Sequence, residues 1–517
     1  MRAHYSDTPK ACVDNFRVRF VVLALVLTSL SGVPLQAAER RGIGLTQQGA
    51  RIEAFFVEGE SANSPLVILV GGLEGVGNSS RAVEREIQRY EGITKSRRAF
   101  RLLAIPSANP ERSRLQFPPV GAAYRDNAES HVLWRWIGSH APDLVVVAGQ
   151  DFGLAQALSQ NIVAGFGRIP ATRMEVTGAL LAGVSPILEV SQAHAELDRR
   201  DGRSARQLAD ELARVYGHDF DQLTYLPGMA LIGQLRLGNT AEVIRLAARY
   251  LDGRDNLARA NSLTLAGHLV FAELAEKTRD ARYVDLVRKA ADTGFTADGA
   301  MKESMPYHDE MSDSVFMALP LLAKAGKLTG ERKYFDMAAR HLAFMQKVVL
   351  RPDGLYRHSP LTDAAWGRGN AFPALGLALA LSDFPENHPA REAMISAFVQ
   401  HMSVLAPLQN PEGLWLEVVD HPGAYAEFSA TAMIATAMLR GIRNGWLDAR
   451  TYQSVVDRAW HAILIRVGPG GVLLDVCEST NKQRTLEDYL RRTAIFDKDP
   501  RGGGMALFFA TEMASPR

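Results

Sequence analysis

The sequence has very little cysteine and almost no net charge. Two cysteines, Cys12 and Cys477, occur among 517 residues, so a disulfide framework is excluded and stability has to come from packing. The 58 lysines and arginines are balanced by 57 aspartates and glutamates. This balance gives no global field that would draw the chain to nucleic acid or to an anionic membrane. Nucleic acid is therefore not an expected partner, and the oligomeric state is left open.

Long apolar runs are also scarce. Near the N terminus one run extends from Phe20 to Leu27, with Arg17 and Arg19 before it and Ala37 and Ala38 after it. This order is typical of a secretory signal peptide, and the run is short for a membrane span. We expect residues 1–38 to be a signal peptide and the protein to be exported, periplasmic or secreted, with no transmembrane span after cleavage. An uncleaved anchor is the alternative.

The first half has the pattern of an α/β fold. "PLVILVGG" (Pro65 to Gly72) and "DLVVVAG" (Asp143 to Gly149) are short apolar runs that end in glycine, as buried parallel strands do. "FRLLAIPSANP" (Phe100 to Pro110) reads as a third strand. Helical patterns lie between these runs, at Ser80–Tyr90 and Ala128–His140. The alternation predicts a mostly parallel sheet with ligands at the carboxyl ends of its strands.

The second half reads as helices. From about Ala205 strands almost vanish, and "TRDARYVD" (Thr278 to Asp285) and "TGERKYFD" (Thr329 to Asp336) share a threonine, an acid, a base, a tyrosine and an aspartate at equal spacing. Each copy marks the turn of a helical hairpin. About six such hairpins fit the remaining length, and six can close into an (α/α)6 toroid. We therefore predict a multidomain chain, with an α/β domain at 39–200 and an all-α toroid at 205–517.

Two segments of the second half resemble a known enzyme family. "HDEMSDSVFMALPLLAKAGKLTGERKYFDMA" and "DGLYRHSPLTDAAWGRGNAFPALG" are similar to the unsaturated glucuronyl and rhamnogalacturonyl hydrolases of glycoside hydrolase families 88 and 105. The resemblance spans about residues 229–513. It implies an (α/α)6 barrel that hydrates the 4,5-double bond left on a uronic acid by a polysaccharide lyase. The substrate would be an oligosaccharide with an acidic non-reducing end, and neither a cofactor nor a metal is implied.

The resemblance also supplies a candidate site. Asp313 lies where the family has its general acid/base, and His358, Trp366 and Arg368 lie where the family contacts the sugar acid. The guanidinium of Arg368 has a planar fork that suits a carboxylate, and Trp366 offers a flat face for a sugar ring. The alternatives are that Asp313 merely caps its helix and that Trp366 and Arg368 stack on a surface loop.

Three more residues complete the candidate set. Asn370 could cap a helix expected to begin at Ala371, or bind sugar hydroxyls. Phe372 stands where the family motif ends in tryptophan. His308 belongs to a polar cluster before Asp313, and such a cluster could tune the pKa of that aspartate or bind a hydroxyl.

One feature implied by the resemblance is missing. The family has a second aspartate on an earlier inner helix, whereas "NLARANSLTLAGHLVF" (256–271) contains no acid, and its nearest polar residues are Asn261, Ser262 and His268. An exported hydrolase of unsaturated uronyl oligosaccharides, with Asp313 as the acid, is the leading hypothesis. A sugar-binding or scaffold protein with a lapsed site is the alternative from another class.

The first half resembles a second family. "VILVGGLEGVGNSSRAV", "AIPSANPER" and "PDLVVVAG" are similar to the zinc carboxypeptidases of the M14 class. That class binds zinc through His-x-x-Glu after one strand and a later histidine after another. Here those positions hold Leu73 and Val76, and then Ala148-Gly149-Gln150, and leucine, valine and alanine supply no zinc donor. We expect a metal-free pseudo-peptidase; an active zinc peptidase or deacylase is the alternative.

Overall fold

The chain builds an open sheet first and a ring of helices afterwards. The structure is a computed structural model that describes residues 38–254 and 257–515. The predicted signal peptide lies outside the described residues except for its last position, Ala38. Asn256, at the start of the segment without an acid, lies outside them as well.

The six strands of the first layer form one mixed sheet in the order β1-β2-β4-β3-β5-β6. Their bounds are β1 Glu39–Leu45, β2 Arg51–Val57, β3 Leu66–Val70, β4 Arg101–Ile105, β5 Leu144–Ala148 and β6 Ala171–Met174. β3 runs parallel to β4 and β5, and β5 runs parallel to β6. β2, however, is antiparallel to both β1 and β4. Three of the five strand pairings are parallel, as the sequence predicts, and the two that involve β2 make the sheet a mixed one. The short turn at 46–50 can join β1 and β2 only as a hairpin.

Apolar cores cover both faces of this sheet. On β3 the side chains of Ile68 and Val70 belong to one core, and those of Val67 and Leu69 belong to the other. A strand buried on both faces needs the continuous apolar run that the sequence shows. The helices that flank the sheet are α1 Asn78–Glu91, α2 Ala128–His140, α3 Leu154–Gln160 and α4 Gln192–Asp201.

The second layer is a closed ring of helical hairpins. Its helices are α5 Ala205–Ala213, α6 Tyr225–Arg236, α7 Thr240–Arg249, α8 Ser262–Gly267, α9 Leu269–Thr278, α10 Ala281–Asp292, α11 Ser314–Thr329, α12 Arg332–Val349, α13 Gly367–Asp383, α14 Arg391–Leu405, α15 Phe428–Arg443, α16 Ala449–Arg466, α17 Leu486–Leu490 and α18 Pro500–Ala514. The inner wall runs α6, α8–α9, α11, α13, α15 and α18, and α18 packs back on α6. Each inner helix has an outer partner, in the order α7, α10, α12, α14, α16 and α5. The predicted toroid is present.

The inner helices are apolar on every side, whereas outer helices carry an apolar stripe. Nearly all of α13 and α15 is buried, since each helix has inner neighbours on both sides and an outer helix behind it. The repeated tyrosines, Tyr283 and Tyr334, are buried one turn into outer helices α10 and α12, as the sequence echo predicts. Short strands at the ring's rim are β7 Trp415–Leu416, β8 Ala426–Glu427, β9 Leu473–Cys477 and β10 Ala494–Asp497.

The predicted boundary near residue 200 is a point where the two layers are joined. Arg200, on α4, donates to the carbonyl oxygen of Ile465 at 2.9 Å and to that of Gly165 at 2.6 Å. Arg203 donates to the carbonyl oxygen of Val467 at 2.8 Å. Buried arginines therefore cross-link the sheet layer to the end of α16. Among the helices in the described ranges, none combines the length and apolarity that a membrane span requires.

A close approach between the backbones of two inner helices gives a test of the ring. A Cβ on Gly376 of α13 would lie 2.7 Å from the Cα of Phe316 on α11 and 2.9 Å from the carbonyl oxygen of Val315. Backbone atoms cannot move aside as a flexible side chain can, so Gly376→Ala should lower the free energy of unfolding by about 1–3 kcal/mol, measured in denaturant. Gly183→Ala, where a Cβ would meet no atom within 4 Å, is the control. Equal stability of both variants would contradict the close packing.

Candidate active site

Several inner helices begin at the same end of the ring. The residues preceding α6, α11, α13, α15 and α18 are Thr224, Asp313, Trp366, Glu427 and Asp499. In the first turns, the ring of Tyr225 lies 5.8 Å from that of Phe316 and 5.5 Å from that of Phe372. The N-terminal ends of inner helices thus converge, and helix dipoles make such a place favourable for negative charge.

Asp313 precedes α11 but does not cap it. Its carboxylate accepts none of the first-turn N–H groups of α11, all of which are described, so the interpretation of Asp313 as a helix cap is wrong. Instead Oδ2 lies 3.1 Å from Nε2 of His358, and the aspartate side chain is 17% exposed. Neither atom has an aligned hydrogen-bond partner among the described residues. Buried polar atoms normally have one, so these two unpartnered atoms mark a candidate functional site.

His358 is held through its other ring nitrogen. Nδ1 lies 2.7 Å from the hydroxyl of Tyr489, and that hydroxyl accepts the backbone N–H of Gln483 at 3.2 Å. A carboxylate oxygen of Asp313 faces Nε2 and can accept a hydrogen bond, so we assign the imidazole proton to Nε2, with Nδ1 accepting the hydroxyl proton of Tyr489. Burial raises the pKa of Tyr489 to about 12, so the hydroxyl stays protonated.

Trp366 supports the histidine. The ring centres of Trp366 and His358 are 4.6 Å apart. The guanidinium carbon of Arg368 lies 4.8 Å from the centre of the same indole ring. The tryptophan is only 2% exposed. Its Nε1 has no partner within residues 38–254 and 257–515. Its predicted role as a sugar platform stays a prediction, because in this structure its contacts are with protein.

Arg368 is buried and bound to protein atoms. Nη1 donates to the carbonyl oxygen of Cys477 at 2.6 Å and to Oγ of Ser429 at 3.2 Å, and Nη2 donates to the carbonyl oxygen of Glu478 at 2.9 Å. Burial alone would lower the pKa of the guanidinium, but Cys477 and Glu427 nearby raise it above its ordinary value. A two-pronged pair with a sugar carboxylate would require these bonds to be exchanged. The role of carboxylate clamp stays a prediction that this geometry does not favour.

Two buried glutamates surround that arginine and differ in their surroundings. Oε1 of Glu427 accepts the backbone N–H groups of Ser429 at 3.1 Å and Cys477 at 2.9 Å, and lies 3.8 Å from Nη1 of Arg368. Oε2 of Glu417 has no partner in the part of the chain that the structure describes. Burial raises the pKa of Glu417 well above its ordinary value, and the neighbouring Glu427 raises it further. Glu427 is thus the counter-ion of Arg368, while Glu417 is held neutral.

The remaining predicted residues lie in the framework around the site. Asn370 is fully buried and clamps Tyr356, accepting its N–H at 2.8 Å and donating to its carbonyl oxygen at 2.9 Å. Since α13 begins at Gly367, not at Ala371 as predicted, Asn370 lies inside the helix and does not cap it.

Phe372 and His308 also have protein contacts that account for them. Phe372 is 1% exposed, and its ring lies 5.4 Å from that of Phe316 on the inner wall. Nδ1 of His308 accepts the N–H of Glu310 at 2.9 Å, and its ring contacts Phe344. Burial lowers the pKa of His308. Both residues thus shape the site's surroundings, and their contact with substrate stays a prediction.

Sequence reasoning missed Tyr489, Tyr225 and Glu417. Tyr489 lies in "DYLRRTAIF" on α17, about 130 residues after the histidine that it holds, so only the fold brings the two together. Burial raises the pKa of Tyr225 to about 12, and the charges of Arg368 and Asp313 also act on its hydroxyl. Tyr225 lies four residues before the helical pattern that begins at Met229 in the sequence, and that position was the signal that could have found it.

The positions predicted for a lost zinc site follow β3 and β5. Leu73 is fully buried in the sheet core, and Val76 is 60% exposed. Across the two described ranges, no group of three or more His, Cys, Asp or Glu side chains could hold a metal ion. The similarity of this half to the M14 class stays a prediction.

The ring and its site define an (α/α)6 protein with a carboxylate–imidazole pair at the N-terminal ends of the inner helices. Residues 239–516, more than half of the chain, match the model of Glycosyl Hydrolase Family 88. The chain belongs to this family, and the resemblance seen in the sequence of the second half is confirmed.

Named relatives share part of the chain. Over 210 residues the chain is 27% identical to the unsaturated rhamnogalacturonyl hydrolase YesR of Bacillus subtilis, a match of 39% of this chain and 59% of that protein. Over 206 residues it is 26% identical to the unsaturated 3S-rhamnoglycuronyl hydrolase of Alteromonas sp. (strain LOR), a match of 36% of this chain and 50% of that protein. The chain thus spans about half the length of the curated relatives it matches.

Solved structures share the ring. A possible member of family GH105 from Salmonella enterica serovar Paratyphi A has a TM-score of 0.52 at 23% identity, over 60% of this chain and 93% of that one. A family 88 glycosyl hydrolase from Bacteroides vulgatus has a TM-score of 0.51 at 18% identity, over 60% of this chain and 99% of that one. These likenesses establish the helical fold.

The neutral state of Glu417 gives a pH test. The folded protein keeps a proton that the unfolded chain releases above its pKa of 4.5, so folding becomes less favourable as pH rises from there toward the folded-state pKa. The free energy of unfolding, measured in urea at several pH values, should fall with pH for this reason. Glu417→Gln should reduce that fall, whereas Glu392→Gln, at an exposed position on α14, should not. An unchanged pH dependence in Glu417→Gln would contradict the assignment.

Proposed function

We propose that the protein is a glycoside hydrolase of unsaturated uronyl oligosaccharides and that Asp313 is its catalytic acid. The observation that carries this proposal is the pair of facing atoms, Oδ2 of Asp313 and Nε2 of His358, each without an aligned protein partner. A carboxyl and an imidazole without aligned protein partners, at the converging N-terminal ends of inner helices, form the arrangement expected of a proton-transfer site. Family membership gives the reaction class.

The proposed reaction is hydration of an enol ether. Asp313 in its acid form donates its proton to C4 of the sugar, and positive charge develops at C5 and the ring oxygen. Water then adds to C5 and returns a proton to the Asp313 carboxylate, so the acid is regenerated. The product is a hemiketal that opens and releases the partner sugar, without the direct attack on C1 used by glycosidases with two carboxylates. One acid is enough for this sequence, and the missing second aspartate does not preclude it.

His358 and the N-terminal ends of the inner helices have two further roles in this proposal: holding the Asp313 carboxylate and favouring the negative charge of the substrate. An N–H on Nε2, 3.1 Å from Oδ2 of Asp313, can hold that carboxylate by donating a hydrogen bond. The converging N-terminal ends of inner helices favour the negative charge of a uronate. Because the named relatives act on unsaturated rhamnogalacturonyl and rhamnoglycuronyl compounds, we propose substrates of that class for this chain.

The first half completes the proposal. We propose that its M14-like sheet has no peptidase chemistry, since the positions expected to bind zinc hold Leu73, Val76 and Ala148. We also propose that the leader exports the protein, which would bring it to the oligosaccharides that extracellular lyases release.

Substitution of the acid tests the function directly. Asp313→Asn cannot donate a proton at neutral pH, so loss of the substrate's ultraviolet enol absorbance should slow by about 10²–10⁴-fold. The assay uses unsaturated disaccharides produced by rhamnogalacturonan and glycosaminoglycan lyases. Asp309→Asn, the same change in the exposed loop just before, is the matched control and should turn over normally.

The outcomes separate the competing functions. Turnover by Asp313→Asn at the wild-type rate would remove this residue from the mechanism. Binding of the disaccharides by the wild-type protein without any loss of absorbance would favour a sugar-binding protein with a lapsed site.

Tyr489→Phe tests the positioning of the histidine. The variant keeps the ring and loses the hydroxyl that bonds Nδ1 at 2.7 Å, so either tautomer of His358 becomes accessible. We expect kcat to fall up to about tenfold and the pH profile of kcat to shift, with little change in thermal stability. Tyr307→Phe, at an exposed tyrosine, is the control. A lower melting temperature with an unchanged pH profile would show a merely structural role.

A further inference from the structure

A cavity away from the candidate active site lies between the sheet and the helical ring. Its volume is about 310 Å³. Phe56 and Trp136 line it from the sheet layer, and Glu412, Asp420 and Arg466 line it from the ring. This volume is at the lower end of the range for small-molecule sites, about 300–1,000 Å³.

Arg466, the last residue of α16, is the unusual group in this cavity. It is 6% exposed, and its guanidinium makes no hydrogen bond or ion pair with any residue that the structure describes. The other buried arginines near it differ, because Arg200 and Arg203 donate to carbonyl oxygens. A guanidinium stays charged in proteins, and a buried charge without a partner is costly. A partner that binds from outside would remove that cost.

The nearby acids are already paired with other cations. Glu412 lies 3.2 Å from Nη1 of Arg41 and 3.8 Å from Nε2 of His140. Asp420 lies 2.8 Å from Nη1 of Arg351.

A third acid is also occupied. Asp475 is ion-paired with Arg135 and accepts the hydroxyl of Tyr124 at 3.3 Å. The carboxylates of Asp475 and Glu412 are close enough to act on the charge of Arg466, but neither bonds to it. The cavity therefore contains one uncompensated positive charge.

We propose that this cavity binds the carboxylate of a sugar acid, a hexuronate or its close derivative, through Arg466. The fork of a guanidinium matches a carboxylate. The carboxylates of Glu412 and Asp420, which also line the cavity, disfavour a dianion such as phosphate more than they disfavour a monoanion. Those same oxygens, with Asn410, can accept hydrogen bonds from sugar hydroxyls, and the partly exposed Trp136 offers an aromatic wall. The site is separate from Asp313 and does not require that the chain hydrolyse anything.

Calorimetric titration of the full-length protein with saturated D-glucuronate tests this site. The titration uses the His358→Ala protein, so that binding in the active site is weakened. Arg466→Gln in that background should reduce glucuronate affinity by about tenfold or more. Arg450→Gln removes the same charge from the exposed first turn of α16 and should leave affinity unchanged. D-glucose, which lacks the carboxylate, should bind at least about tenfold more weakly than glucuronate.

Each alternative result overturns the proposal. Equal glucuronate affinity in Arg466→Gln and Arg450→Gln would remove the arginine from the site. Glucose binding as tightly as glucuronate would remove the carboxylate from recognition, and tighter binding of inorganic phosphate would show a general anion site. Trp136→Leu is the second variant if Arg466→Gln does not fold: it should weaken glucuronate binding several-fold, and unchanged binding would also overturn the proposal.

Discussion

The buried guanidinium of Arg368 joins the parts that build the site. From the first turn of α13 it donates to the hydroxyl of Ser429 on α15 and to two carbonyl oxygens at the end of β9. The segment that follows β9 carries Tyr489, which holds His358 against Asp313. Removal of the guanidinium would take the donor from two buried carbonyl oxygens and the counter-ion from the Glu427 carboxylate, a cost of several kcal/mol in typical buried networks. The placement of the proposed acid–imidazole pair thus depends on a residue that does not touch Asp313.

The sheet layer supports the same segment from the other side. The ring of Tyr124 stacks on that of Tyr425 at 4.7 Å with an angle of 5°, and its hydroxyl donates to Asp475 on β9. Ala123 joins Trp366 and Tyr489 in one small apolar cluster. The sheet layer can therefore contribute to the site in the ring, because it packs against the segment that carries Tyr489, and Tyr489 holds His358 in place. This contact gives a physical reason for the two halves to be fused, whatever the ancestry of the first half.

Local sequence patterns were sufficient to predict most helices and strands and the helical ring. They were not sufficient to predict the partners of the site residues. β3 and β5 follow from apolar runs, and the turns at Asp280 and Glu331 follow from the sequence echo, because local chemistry decides each of them. The antiparallel hairpin of β1 and β2 was missed because apolar and polar residues alternate only weakly along these two partly exposed strands.

Roles that depend on burial were less accessible from sequence. From the sequence, Trp366 and Arg368 at the start of a helix were predicted to bind substrate. In the structure both are at most 3% exposed and contact protein atoms. Tyr489 was invisible as a partner because its separation from His358 along the chain is bridged only by the fold. The free atoms of Asp313 and His358 could likewise be seen only once their surroundings were in place.

The charges around the site constrain how an acidic sugar can be held. Arg368 faces the carboxylate of Glu427, and Glu417 is kept neutral because burial and Glu427 both raise its pKa. One positive and one negative charge therefore cancel behind the site, and the guanidinium offers little net attraction to an incoming uronate. In the proposed function, attraction comes from the N-terminal ends of the inner helices and from the imidazole N–H of His358, neither of which requires a buried charge to be stripped of its partner. In the reaction that we propose, Asp313 is the one acid required, and none of these neighbouring charges has to act as a second.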